Sequence, residues 1–204
     1  MSVTVERFEA LMSVRRFADA ERTARDLIAQ YPDWGACYTH LGRAILEQKR
    51  YSEALDAAKE GVRMAPYDAW AHAIISLIYE RMQKYREAVD AAKEALRLFP
   101  TYGFAFWLLS YSYERLGKYK DALEATTNGL KHHPHDQEML RFHAFNLYRV
   151  NRWDEAEEVT RECLRLHPTS HEAIDVLGRM AMERADKSIL RRFRLHRDAH
   201  EYFM

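Results

Sequence analysis

All five prolines of the chain, Pro32, Pro66, Pro100, Pro134 and Pro168, stand 34 residues apart. A fixed period of that size is the mark of a stacked array of small units, not of one irregular core. With proline at position 32 of the unit, other columns come into line. Position 20 reads Ala20, Ala54, Ala88, Ala122 and Ala156, and position 17 reads Phe17, Tyr51, Tyr85, Tyr119 and Trp153. Position 16 is always basic, as Arg16, Arg50, Lys84, Lys118 and Arg152. Position 8 is small in most units, as Gly42, Ser76, Ser110, Ala144 and Gly178.

Between the prolines, apolar residues recur at three- and four-residue steps, as in Tyr38, Leu41 and Ile45 and then Ala54, Ala58 and Val62. That spacing makes one apolar face on a helix. Each unit therefore reads as two amphipathic helices with a break near positions 14 to 17. Proline ends the second helix, because it has no N–H and restricts the residue before it. Small residues at positions 8 and 20 let two helices cross at roughly 8 to 10 Å. The expected fold is all-α, an α-solenoid of about five helix-turn-helix repeats. Its units are 1–34, 35–68, 69–102, 103–136 and 137–170, followed by a capping helix at 171–186 with Ile174, Leu177, Gly178 and Ala181 on its repeat positions. The solenoid is thus expected to span 1–186. Beyond it the ruler fails, with Leu190, Arg194 and Arg197 where small residues belong. The remaining tail, 187–204, sets Lys187, Arg191, Arg192, Arg194 and Arg197 against Asp198 and Glu201, and reads as a basic amphipathic helix.

These columns resemble the tetratricopeptide repeat (TPR) family. Tyr38, Leu41 and Gly42 match its pattern in the second unit; Phe106, Leu109, Ser110, Tyr113, Ala122 and Pro134 match it in the fourth. Arg7 and Phe8 depart from it in the first unit, His143 in the fifth, and Thr126 and Thr160 at position 24. The first unit reads as a degenerate cap. The resemblance implies a right-handed superhelix that binds a protein or peptide on its concave face.

Composition narrows the function further. Lys and Arg number 31 and Asp and Glu number 31, so the chain offers no basic excess for nucleic acid. Cys37 and Cys163 make no disulfide scaffold and suit a reducing, cytoplasmic compartment. The longest uncharged run, Leu98 to Tyr113, falls short of the roughly 20 residues that span a bilayer. All seven glycines fall on repeat columns, which leaves no phosphate-cradling loop. His132, His133 and His135, and the pair His196 and His200, are weak metal motifs, and neither completes a ligand set. No catalytic residue and no cofactor is expected.

The informative positions are those the repeat core leaves unused. On the first helix of each unit, positions 2, 5, 9 and 12 share a face away from position 8, the face that the family resemblance makes concave. Trp70, Leu77, Phe104, Trp107, Tyr111, Phe145 and Tyr148 give it an aromatic middle, and Arg81, Arg115 and Arg149 recur beside it at position 13. These ten residues are the expected partner-binding groove, and the arginines suit an acidic peptide or a terminal carboxylate. The carboxylate clamp of some family members is absent: Thr39, Arg43, Ile74, Phe104 and Leu108 stand at its positions. Other readings stay open. The arginines can pair with Glu80 and Glu114, and the aromatic stripe can be packing between first helices. The groove can be filled by the tail or by a second copy. The chain can be the soluble part of a longer membrane-associated protein, or a sensor of a small molecule or metal.

Overall fold

Each repeat proline acts on the residue before it. Tyr31, Ala65, Phe99 and His167 precede a proline, and their φ of −136° to −132° and ψ of 67° to 88° lie outside the helical region. The proline ring excludes the helical conformation there, so each second helix stops one residue short of it.

The structure, a computed structural model, describes residues 2–168, 170 and 173–185. Among them every regular element is a helix: α1 (Ser2–Ser13), α2 (Phe17–Gln30), α3 (Gly35–Glu47), α4 (Tyr51–Met64), α5 (Ala69–Arg81), α6 (Tyr85–Leu98), α7 (Gly103–Arg115), α8 (Tyr119–His132), α9 (Gln137–Arg149), α10 (Trp153–Leu166) and α11 (173–185). The expected tail, 187–204, lies outside the described residues. The chain divides into two compact units, Met1–His132 and His133–Met204.

The turn inside every hairpin is the same device. Position 15 is left-handed each time, at Arg15 (φ 59°), Lys49 (63°), Gln83 (60°), Gly117 (73°) and Asn151 (63°). Its N–H reaches back three residues, as from Gln83 to the Glu80 carbonyl at 2.8 Å. The next N–H reaches back five, as from Lys84 to the Tyr79 carbonyl at 2.8 Å and from Arg152 to that of Leu147 at 2.9 Å. This bond pair is the Schellman motif, which satisfies the last carbonyls of the first helix. Position 16 then opens the second helix without a side-chain cap. Its basic side chain instead pairs with an acid in the first turn: Arg16 with Asp19 at 2.6 Å, Arg50 with Glu53 at 2.5 Å and Arg152 with Glu155 at 2.5 Å.

Close approach explains the small columns. The five position-20 alanines are fully buried. In the first unit a Cβ added to Gly42 would stand 2.9 Å from the Ala54 carbonyl oxygen and 3.1 Å from the Ala58 nitrogen, so no larger residue fits between α3 and α4. Ser76, on the same column of α5, uses its closeness to α6 differently and donates its hydroxyl to the Ala88 carbonyl at 2.8 Å. The core of this unit runs through α1 to α8, and α5 also touches the first helices on either side of it, α3 and α7.

In the second unit α9 packs on α10, and Arg184 of α11 holds Asp154 and Glu157 of α10 at 2.7 and 2.5 Å. Thr160 keeps position 24 of α10 polar at no cost in unmet hydrogen bonding: it is fully buried and donates to the Ala156 carbonyl one turn back, at 2.6 Å.

Candidate functional site

In the first unit, α7 sets its groove residues in a row. Steps of three and four residues keep Phe104, Trp107, Tyr111 and Arg115 on one face. Phe104 and Trp107 have ring centroids 5.7 Å apart at 9°, and Trp107 and Tyr111 are 5.8 Å apart at 15°. The row continues into the preceding loop through Tyr102, 6.2 Å from Phe104, and Phe99, stacked on Tyr102 at 5.6 Å. Phe104, Trp107 and Tyr111 are half-buried, and Phe99 is 51% exposed. At the other end the Arg115 guanidinium lies 6.0 Å from the Tyr111 ring centre and 5.2 Å from that of Tyr85 on α6. The arginine therefore joins the aromatic row as a cation on two phenol faces.

The other expected groove residues of this unit take different places. Leu77 is only 9% exposed and belongs to the core, so it offers a partner little surface. Trp70 ends a separate row: its ring lies 4.7 Å from His40 of α3, which lies 4.5 Å from the buried Phe8 of α1. Burial pushes the His40 pKa down to about 4; Glu9 and Asp68 favour its charged form and Arg43 opposes it. Arg81 meets the Glu80 carboxylate at 3.1 Å, one of the pairs named by the acid-pairing alternative for the three arginines. Burial raises the pKa of Glu80, against the pull of Arg81 and Arg115. Sequence reasoning missed His40 and Tyr85; the aromatic column at position 17 was the available signal for the second.

In the second unit, Phe145, Tyr148 and Arg149 come together at the end of α9. The Arg149 guanidinium lies 5.8 Å from the Phe145 ring centre, Phe145 lies 6.4 Å from Tyr148, and Tyr148 lies 6.3 Å from Trp153. With Asn151 from the left-handed turn and Arg179 and Glu183 from α11, they line a cavity of about 290 Å³. The Tyr148 hydroxyl donates to the Glu183 carboxylate. That bond holds the phenol protonated and raises its pKa, while Arg179 and Arg149 pull it the other way. Asn151, Trp153, Arg179 and Glu183 were not expected at a site, because their repeat positions are structural or lie past the last proline.

The weak metal motif dissolves where the structure describes it. The His132 ring faces Phe106 at 6.2 Å in one unit, and in the other the His135 carbonyl lies 3.1 Å from His167 Nε2. Among the described residues no three His, Cys, Asp or Glu side chains are placed to share an ion. His196 and His200 lie outside them. No helix of the described residues is long and apolar enough to cross a membrane.

Helical hairpins of 34 residues, joined by one repeated turn and closed by small residues, define an α-solenoid of the tetratricopeptide type. The chain belongs to the tetratricopeptide repeat family: the family described as Psidin, N-terminal TPR repeats region, matches residues 44–173, and the tetratricopeptide repeat family matches 5–69. Solved structures share the fold. TTC0263 of Thermus thermophilus, a thermophilic TPR protein, superposes with a TM-score of 0.71 at 19% identity over 89% of this chain and 97% of that one. MamA 41-end of Desulfovibrio magneticus RS-1 gives 0.68 at 14%, over 83% and 96%. YrrB, described as a TPR protein with an unusual peptide-binding site, gives 0.66 at 13%, over 86% and 90%. None of the curated proteins matches this sequence.

Proposed function

We propose that the chain is a non-catalytic interaction scaffold, and that the row on α7 is where it takes hold of a segment of a partner protein. The observation that carries this reading is the run Phe99, Tyr102, Phe104, Trp107 and Tyr111, ending on Arg115. Ala105, Leu108, Leu109 and Ser112 pack α7 as buried residues, and this run adds partly exposed aromatic surface beside them. Aromatic and arginine side chains at the centre of a contact supply most of its energy. The likeness of this fold to YrrB, with its peptide-binding site, supports a solenoid of this kind carrying a peptide. Trp70 and Arg81 on α5 belong to the same proposed role in the first unit, and Phe145, Tyr148 and Arg149 form a second contact region within it.

The test is selection of a peptide library on the full chain, followed by titration of the enriched peptides against the wild type and Trp107→Ala. Removal of Trp107 should weaken binding by about 2 kcal/mol, roughly 30-fold in Kd, with the helical circular dichroism retained. Equal affinity in the variant would remove the row from the binding role.

A further inference from the structure

Arg81 and Arg115 share one repeat column and differ in what meets them. Arg81 has the Glu80 carboxylate at 3.1 Å. Arg115 is exposed, and among the described residues no carboxylate forms an ion pair with it. Glu80 acts on it only at longer range and is held by Arg81. The Arg115 guanidinium lies over the Tyr85 and Tyr111 rings, 5.2 and 6.0 Å from their centres. A guanidinium placed in this way gives its face to the rings and keeps its N–H groups, at the edge of its plane, able to fork onto a carboxylate. The helix sets its place: Arg115 stands one turn past Tyr111, at the end of the row formed by Phe104, Trp107 and Tyr111.

We propose, resting on the partner-binding reading of this row, that the segment it holds is an amphipathic helix laid along α7, with apolar side chains on Phe104, Trp107 and Tyr111 and an acidic side chain one turn further on, at Arg115. Spacing supports the helix. The rings follow one another at 5.7 and 5.8 Å because they stand three and four residues apart on a helix. A second helix brings side chains to one face by the same steps, which rise about 4.5 and 6.0 Å, so its anchors stay in register along the row. An extended strand repeats a face every ~6.7 Å and a polyproline helix every ~9.3 Å, and both fall out of step within three rings. Charge supports the acid. A partner carboxylate on Arg115 makes a charge-assisted pair that no described side chain already makes.

The probe is a fluorescein-labelled, end-blocked alanine–glutamine helix with Leu on three successive turns of one face. It carries Glu one turn beyond them at both ends, so that either chain direction brings a carboxylate to Arg115. A counterpart with Gln for Glu and a counterpart broken by a central proline serve as comparisons, each titrated against the full chain. The wild type should bind the Glu helix about tenfold more tightly than either the Gln helix or the proline peptide. Arg115→Gln should bind the Glu and Gln helices alike, whereas Arg115→Lys and Arg81→Gln should keep the preference for Glu. No binding of the Glu helix to the wild type overturns the proposal. Equal binding of the Glu and Gln helices, or a preference for Glu that survives in Arg115→Gln, overturns the acid at Arg115. Equal binding of the proline peptide overturns the helix. If library-selected peptides lose binding in Trp107→Ala while the Glu helix does not, the row stands and the helix falls. If the selected peptides bind Trp107→Ala as tightly as the wild type, the row itself falls, and the helix with it.

Discussion

Gly42 in α3 and Gly178 in α11 occupy the same repeat column and have opposite surroundings. Around Gly42 the backbone of α4 is so near that a single added carbon would stand 2.9 Å from a carbonyl oxygen; around Gly178 the same carbon meets nothing within 4 Å among the described residues. Gly42 is glycine because a helix lies against it. Gly178 keeps the residue type of the column where no described helix uses it. A repeat column therefore reports which helix a residue is on, and its neighbour must be established separately.

The packing that closes on Gly42 also takes water from His40 in the same helix, and the largest expected effect follows from that. His40 and His143 are both held down to about 4 by burial, from an ordinary value of 6.5. A lowered histidine pKa means that the unfolded chain binds the proton more readily, so the stabilising difference is fully present above pH 6.5 and is lost as pH falls toward 4. Each histidine should cost on the order of 3 kcal/mol at pH 4. Thermal unfolding followed from pH 7.5 to 5 samples the upper part of this loss. His40→Phe should flatten the slope for its share; a slope unchanged in that variant would show that the close packing does not extend to the histidine.

The next largest effect tests the two glycines themselves. Gly42→Ala should lose roughly 1 to 2 kcal/mol, because the crowding of α4 exceeds the gain in helix propensity. Gly178→Ala should gain up to about 1 kcal/mol, because only propensity acts there. Urea unfolding of both variants measures the pair. Equal and opposite signs sharpen the comparison, and a loss at Gly178 would reveal a neighbour on α11. The smallest effect concerns the turn. Gln83→Gly replaces a side chain held at φ 60° and should raise stability by about 0.5 kcal/mol, since glycine adopts that conformation without strain but gives up more entropy on folding. The same substitution at Asn151 should do less, because Asn tolerates the left-handed region.

Much of this architecture was readable from residue type and spacing. The prolines marked where second helices end, the alanine column marked the buried contacts, and the aromatic positions on α7 followed from helical periodicity. What escaped reading was contact between residues that do not share a column. His40 meets Phe8 and Trp70 because three successive first helices converge, although the three stand at different positions of their units. Tyr148 meets Glu183 across 35 residues, a step off the ruler, and Glu183 lies past the last proline where the period has no authority. Leu77 shared the periodic face of the aromatic residues and still turned out to be core, because the width of a buried stripe depends on how closely the neighbouring helices stand.

The left-handed turn has a further consequence for how such a chain changes its length. The turn within each hairpin is written in main-chain hydrogen bonds, and five residues of different type, from arginine to glycine, occupy its left-handed position. A segment cut at one joint and spliced at the next is thus a cassette with matching ends, whatever its side chains. The protein is extensible in whole cassettes, and the distance over which it can hold a partner is set by how many are strung together.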